Sequence, residues 1–195
     1  MRRDFAVLIL AAGASRRLGR PKALVAAGGA TLLGRALRNA AQLKPLWVGV
    51  VLGAGRARLA PLVGAPAAVV SARRWREGLA ASLRAGIAAV PRRARRVLVL
   101  SVDQWALRPT DLERLLRVRA SGPVAAGYAG TRGIPVVFPA HWRSRLARLR
   151  GDRGARAQLS GPGVVEVALP AAAADLDTPA DLREFRRRAR RYLFK

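Results

Sequence analysis

Short apolar runs alternate with amphipathic stretches along the whole chain, and that rhythm predicts the fold. Phe5 to Leu10 is an uncharged apolar run that reads as a buried strand of a parallel sheet. Further strands are expected at Leu46 to Leu52, Ala67 to Val70, Val97 to Val102, Pro123 to Tyr128, Gly133 to Phe138 and Val164 to Ala168. Thr31 caps a helix to about Leu43, with Leu32, Leu33, Ala36, Leu37 and Ala40 near helical spacing. A short helix follows Gly53-Ala54-Gly55, and another passes through Ser82 to end near Val90. Thr110-Asp111-Leu112-Glu113 opens a helix whose acids complement its dipole. Two more are expected, from Pro139 to Arg150 and from Pro179 onward. Thr178, Pro179 and Asp181 form a variant of the capping box at the start of the last one. Strands alternating with helices predict an α/β fold: a three-layer, doubly wound, mostly parallel sheet with a Rossmann-like first half. The 195 residues suffice for one good core, so residues 1–195 are expected to form a single domain.

Composition narrows the setting. No stretch is long and apolar enough to span a membrane. The first strand follows Met1-Arg2-Arg3-Asp4 too closely for a signal peptide, and a cytoplasmic location is expected. Without cysteine the chain has no disulfide, thiolate metal site or thiol nucleophile. Thirty-seven basic residues face 11 acidic ones, a formal charge of +26, and such a surface attracts polyanions. Yet the arginines are spread over nearly every segment, and aromatics are scattered at 5% of residues. A nucleic-acid module concentrates charge on one face beside stacking aromatics, so nucleic acid is not expected as a specific partner. The charge suits an anionic substrate or an acidic partner protein.

The chemistry concentrates after the first strand. The run breaks at Gly13 into a loop holding Gly13, Ser15, Arg16, Arg17, Gly19, Arg20 and Lys22. Glycines let backbone N–H groups approach an anion, and the cations neutralise it, so the loop reads as a triphosphate cradle. It is not a Walker A loop, because Arg20 follows Gly19 where that motif needs Lys-Ser or Lys-Thr. Nor is it a dinucleotide fingerprint. Gly53-x-Gly55 fails that test as well, with Arg58 at the third glycine position, and reads as a tight turn. Asp103 lies just past the end of a predicted strand, where open α/β sheets bind ligands. His141 has no partner at metal-ligand spacing and reads as a surface or packing residue.

Leu10-Ala11-Ala12-Gly13-x-Ser15-x-Arg17-x-Gly19-x-x-Lys22 resembles the signature of the MobA-like NTP transferases, a family that includes molybdenum cofactor cytidylyltransferases. The resemblance continues through Gly78 and Ser82, Asp103-Gln104, Gly151-Asp152-x-Gly154-Ala155-Arg156 and Asp175-x-Asp177-Thr178-Pro179, and so covers Leu10 to Leu182. It implies transfer of a nucleoside monophosphate from an NTP to a phosphorylated acceptor, with pyrophosphate released. Arg17, Lys22 and Asp103 would be catalytic. Leu10, Ala11, Ala12, Gly13, Ser15, Gly19, Gly78 and Ser82 would bind the nucleotide, although Gly78 and Ser82 read equally well as small residues packing a helix on the sheet. Gln104, Asp152 and Asp175 would lie toward the acceptor, with helix capping as the other reading of Asp152.

In-line attack at the α-phosphorus needs a divalent cation and fixed positive groups, and no protein nucleophile. The resemblance implies Mg2+ on Asp103. Most other acids fall on helix starts or inside a strand, and Glu77 and Asp152 remain as loop candidates. Asp103 and the pair Asp175/Asp177 are best placed for the ion, Asp103 first and Asp177 second. Ala11-Ala12-Gly13 is similar to the cytidylyltransferase branch, where the guanylyltransferase branch more often has Leu-Ala-Gly-Gly, so CTP and a molybdopterin-type acceptor are favoured. A guanylyltransferase, another small-molecule nucleotidyltransferase, and an accessory or nucleic-acid-binding protein that keeps the fold are the alternatives. An acidic apo-molybdoenzyme is a further candidate partner. Trp105 and Ile134 depart from the Asp-Gln-Pro and Gly-His-Pro patterns of the family, with consequences expected for loop shape and acceptor contacts.

Overall fold

The uncharged run after Asp4 becomes a strand buried along its whole length. The structure, a computed structural model, describes residues 4–27, 29–151 and 156–192. In chain order the elements are β1 (Phe5–Ala11), β2 (Ala26–Ala27), β3 (Ala30–Thr31), α1 (Leu32–Gln42), β4 (Trp47–Leu52), α2 (Arg56–Leu59), β5 (Ala68–Ser71) and α3 (Leu79–Ala89). Then come β6 (Arg96–Ser101), α4 (Pro109–Arg117), β7 (Val124–Tyr128), β8 (Thr131–Pro139), α5 (Arg143–Ala147), α6 (Arg156–Leu159), β9 (Val165–Ala168) and α7 (Pro179–Tyr192).

Seven strands form one sheet in the order β5-β4-β1-β6-β8-β7-β9, and β2 with β3 makes a separate small hairpin. β1 pairs in parallel with β4 and β6, which sets Leu10 beside Val51 on one side and Ser101 on the other. Only β8 runs against its neighbours. Its reversal follows from the Ala129-Gly130 connection, where both residues take positive φ and join β7 to β8 in a tight hairpin.

Alternate residues of β1 feed two cores. Phe5, Val7 and Ile9 join Leu32 and Leu33 of α1, Leu112 and Leu115 of α4, and Leu182 and Phe185 of α7. Ala6, Leu8 and Leu10 join Leu83 and Ile87 of α3, Leu146 of α5 and Leu159 of α6. These are the three layers that the alternation predicts. Strand order reverses across β1, which opens a crevice at the carboxyl ends of β1, β4 and β6.

Some boundaries differ from expectation. The helix read from Pro139 to Arg150 is a 3-10 turn, Ala140–Trp142, followed by the five residues of α5. It stops early because the Arg148 and Leu149 N–H groups turn back to Arg145 and Leu146, and Gly151 then takes φ +75°. The stretch from Ala23 to Gly29, read as a plain crossing, contains the end of a 3-10 turn and β2. Thr31 caps α1 as expected, its Oγ1 accepting the Gly34 N–H at 3.0 Å.

Candidate functional site

Three segments far apart in sequence converge on one ammonium group. The loop after β1 folds back on itself because Ser15 adopts a left-handed φ of +52° and its hydroxyl accepts the Lys22 N–H at 3.1 Å. Gly19, at φ +74°, closes the 3-10 turn Arg16–Leu18 by donating to the Ser15 carbonyl at 3.1 Å. Lys22 Nζ then donates to Asp103 Oδ2 at 2.8 Å and to Asp177 Oδ1. Arg17 donates to the other oxygen of Asp177, and the Ser101 hydroxyl donates to Asp103 Oδ1. Asp177 is fixed by the start of α7. Its backbone N–H and that of Thr178 both donate to Asp181 Oδ2, at 3.0 and 2.7 Å, which bears out the predicted cap.

Shelter differs among these charges. The Lys22 and Asp103 side chains are 16% and 17% exposed, whereas Arg17, paired with Asp177, is 72% exposed. Burial works against the charge on Lys22, but attraction to Asp103, its hydrogen bond, and then Asp177 outweigh burial and hold the ammonium above the ordinary lysine range. Asp175 is shifted the other way for a carboxyl. Loss of solvent, followed by repulsion from Asp103 and Asp177, raises its pKa.

Beside this network lies a cleft of about 570 Å³. The β1 loop, from Leu10 through Arg17, lines it together with Lys22, Asp103 and Asp177. Leu59, Trp75, Arg76, Gly78, Leu79 and Ser82 also contribute to the lining. Trp75 is seated by Gly53, where an added Cβ would lie 2.6 Å from the Trp75 Cβ and 2.8 Å from the Ala12 carbonyl oxygen. Ser82 is the one buried polar side chain among the described residues, 5% exposed.

The fold thus gathers Leu10, Ala11, Ala12, Gly13, Ser15, Arg17, Lys22, Gly78, Ser82, Asp103 and Asp177 around one cleft. Gly19 shapes the loop without lining the cleft, and Asp175 does not line it either. Gln104 turns away from the cleft. Its Nε2 donates to the Ile134 and Ala172 carbonyls at 2.6 and 3.0 Å, tying the loop after β6 to β8 and to the turn before Asp175. Asp152 lies outside the described residues. Trp105 is buried, its ring meeting Phe185 of α7 edge-on at 5.2 Å, so this departure joins the core. Sequence reasoning missed Leu59, Trp75, Arg76 and Leu79. The available signals were the aromatic inside the basic run before Gly78 and the family resemblance of the Arg73-to-Gly86 segment, which points to Gly78 and Ser82 alone.

Asp103 and Asp177 fit a divalent cation as a donor set: two carboxylates within reach of one ammonium at the edge of a cationic cleft. Among the described residues no group of three or more histidine, cysteine, aspartate or glutamate side chains is placed to hold a metal ion by itself. Magnesium needs only one or two carboxylates when substrate phosphates complete its shell. No helix among the described residues is long and apolar enough to cross a membrane.

Residues 7–167 match the family model of the MobA-like NTP transferase domain, and the chain belongs to that family. It is similar to the crystal structure of Rv0371c from Mycobacterium tuberculosis, 30% identical, with a TM-score of 0.84 over 94% of this chain and 97% of that one. A manganese complex of Rv0371c is 28% identical, with a TM-score of 0.77 over 94% of this chain and 98% of the other. Among curated proteins, the bifunctional protein GlmU of Mycobacterium avium is 32% identical over 144 residues, 69% of this chain. The match spans only 28% of that relative's length. The expected family and the α/β fold are therefore both borne out, and a nucleotidyltransferase class follows from them.

Proposed function

We propose that this protein transfers a nucleoside monophosphate from an NTP, with CTP favoured, to a phosphorylated pterin-type acceptor such as molybdopterin, releasing pyrophosphate. The observation that carries the reading is Lys22 held between Asp103 and Asp177 at the end of a nucleotide-sized cleft. The base and ribose lie over Leu10, Ala11, Ala12 and Gly13 and beside Gly78 and Ser82. On binding, Lys22 and Arg17 exchange their carboxylate partners for the β- and γ-phosphates, so that charge-assisted contacts to phosphate replace those to Asp103 and Asp177. Asp103 and Asp177 would hold Mg2+, which would supply Lewis-acid stabilisation of the charge that builds on the α-phosphoryl oxygens.

Ser101 keeps Asp103 turned toward the cleft, and the cap of α7 keeps Asp177 there. Gln104 fixes the loop behind Asp103, on the side where Asp175 lies and where the acceptor enters. The family resemblance implies an acceptor-binding role for Asp152 as well. An acidic apo-molybdoenzyme would suit the basic surface as recipient of the product.

The test is pyrophosphate release with magnesium, molybdopterin and each of CTP, GTP, ATP and UTP in turn. Release with CTP alone supports the full reading. Release with GTP keeps the mechanism and overturns the base assignment. Absence of release with all four overturns the acceptor or the activity, and a screen of other phosphorylated acceptors separates those two. Lys22→Ala and Asp103→Ala should each abolish turnover in a folded protein, and a near-normal rate in either would sink the scheme.

A further inference from the structure

The lining of the cleft mixes charge with apolar surface. Arg17, Lys22, Asp103 and Asp177 form one ion-paired network, which suits phosphates and metal. Leu59, Leu79 and Trp75 supply apolar lining, which suits a base. Of the charged side chains that line the cleft among the described residues, Arg76 alone comes from neither the loop after β1 nor that network. Its guanidinium carbon lies 4.6 Å from the centroid of the Trp75 ring. Stacking of this kind steadies a guanidinium while leaving its in-plane N–H groups open. The neighbouring carboxylate, Glu77, is taken by Arg74 and Arg84.

We propose that Arg76, stacked on Trp75, is a specificity-determining residue that reads the base edge of the bound nucleotide. This rests on the nucleotidyl-transfer reading above and sharpens it. Arginine offers donors only, in a planar fork. A fork of donors pairs with two adjacent acceptors, as it does with O6 and N7 of guanine. Cytosine presents O2 and N3 in the same way. Adenine sets an amino donor beside its acceptors, and uracil places an N–H between its two carbonyl oxygens, so neither fills the fork. The site therefore selects cytosine or guanine nucleotides over adenine and uracil ones.

The experiment measures dissociation constants of CTP, GTP, ATP and UTP, each with magnesium, for the intact protein and for Arg76→Ala and Arg76→Lys. The expected result is a preference for CTP or GTP over ATP and UTP of roughly 10- to 100-fold, the range of a good bidentate pair. Both variants should lose that preference and leave ATP and UTP affinities within about two-fold, because lysine keeps the charge but not the fork. Equal weakening of all four nucleotides in Arg76→Ala, with rescue by Arg76→Lys, would mean a phosphate contact and overturn the proposal. An unchanged preference in both variants overturns it too. If none of the four binds the intact protein, the nucleotidyl-transfer reading itself fails, an outcome distinct from the other two.

Discussion

Lys22 holds two carboxylates at once, and its pH behaviour follows from that. Its pKa is raised in the folded protein, so the stability it contributes is fully present below the ordinary lysine value of 10.5 and is lost as pH rises through the higher folded value. Lys22→Met should cost about 1.5–3 kcal/mol at neutral pH, the range for hydrogen bonds to charged groups. The variant should also lack the extra decline above the ordinary lysine value that the unaltered chain shows. Denaturant titrations of both proteins across that window check this, and parallel curves would refute it. The residue types were legible beforehand: Gly13, Ser15, Arg17 and Lys22 mark an anion loop by their chemistry alone. Their pairing was not, because Lys22 meets partners 81 and 155 residues away, and no local pattern encodes that register. Arg76 and Trp75 escaped for a related reason: a surface arginine in a chain of 37 cations carries no signal until the fold puts it in a cleft.

The element that most controls the site is α7, whose first turn carries Asp177. Asp181 accepts from the Asp177 and Thr178 N–H groups and from the Thr178 hydroxyl, so the cap that starts the helix also aims the carboxylate. Asp181→Ala should cost about 0.5–2 kcal/mol, as lost caps do. It should lower kcat more than it raises KM for the nucleotide, since the displaced Asp177 acts on the reaction rather than on the base. Thermal unfolding and steady-state kinetics check the two parts. Burial alone would raise the Asp181 pKa, but the hydrogen bonds from Thr178 and the Asp177 N–H outweigh it and leave it lowered. Its stabilisation is therefore present above the ordinary aspartate value of 3.8 and lost as pH falls through the folded value.

On the opposite face, α3 lies close against the sheet at Gly86, where an added Cβ would come within 2.4 Å of one Leu8 methyl and 2.9 Å of a Val51 methyl. Gly86→Val should destabilise by about 1–3 kcal/mol through overpacking, read as a lower denaturant midpoint. The Thr178-Pro179-Asp181 cap was legible because capping chemistry is local. The β7–β8 hairpin was not, since Ala129-Gly130 lacks the Asn-Gly or Asp-Gly chemistry that marks such turns, and so the antiparallel β8 went unforeseen.

At the scale of the whole molecule the formal charge of +26 and the cleft make separate demands on an anion. The surface field is long-ranged, sequence-blind and screened within about 10 Å at 0.1 M salt. Duplex DNA should therefore bind at low ionic strength, with affinity falling by roughly 10³–10⁵ between about 50 and 200 mM salt if six to ten phosphates are engaged. The cleft is different because Lys22 is mostly sheltered from solvent and a triphosphate meets only a few cations there. Fewer charges neutralised means a shallower salt slope, so nucleotide affinity should fall by no more than about ten-fold over the same range. Measuring both affinities against salt in one protein separates the two. Parallel slopes would mean that nucleotides ride on the surface field instead of entering the cleft. DNA binding that survives about 200 mM salt with a sequence preference would make nucleic acid a specific partner, against the scattered aromatics and dispersed arginines that argue for a small anionic substrate.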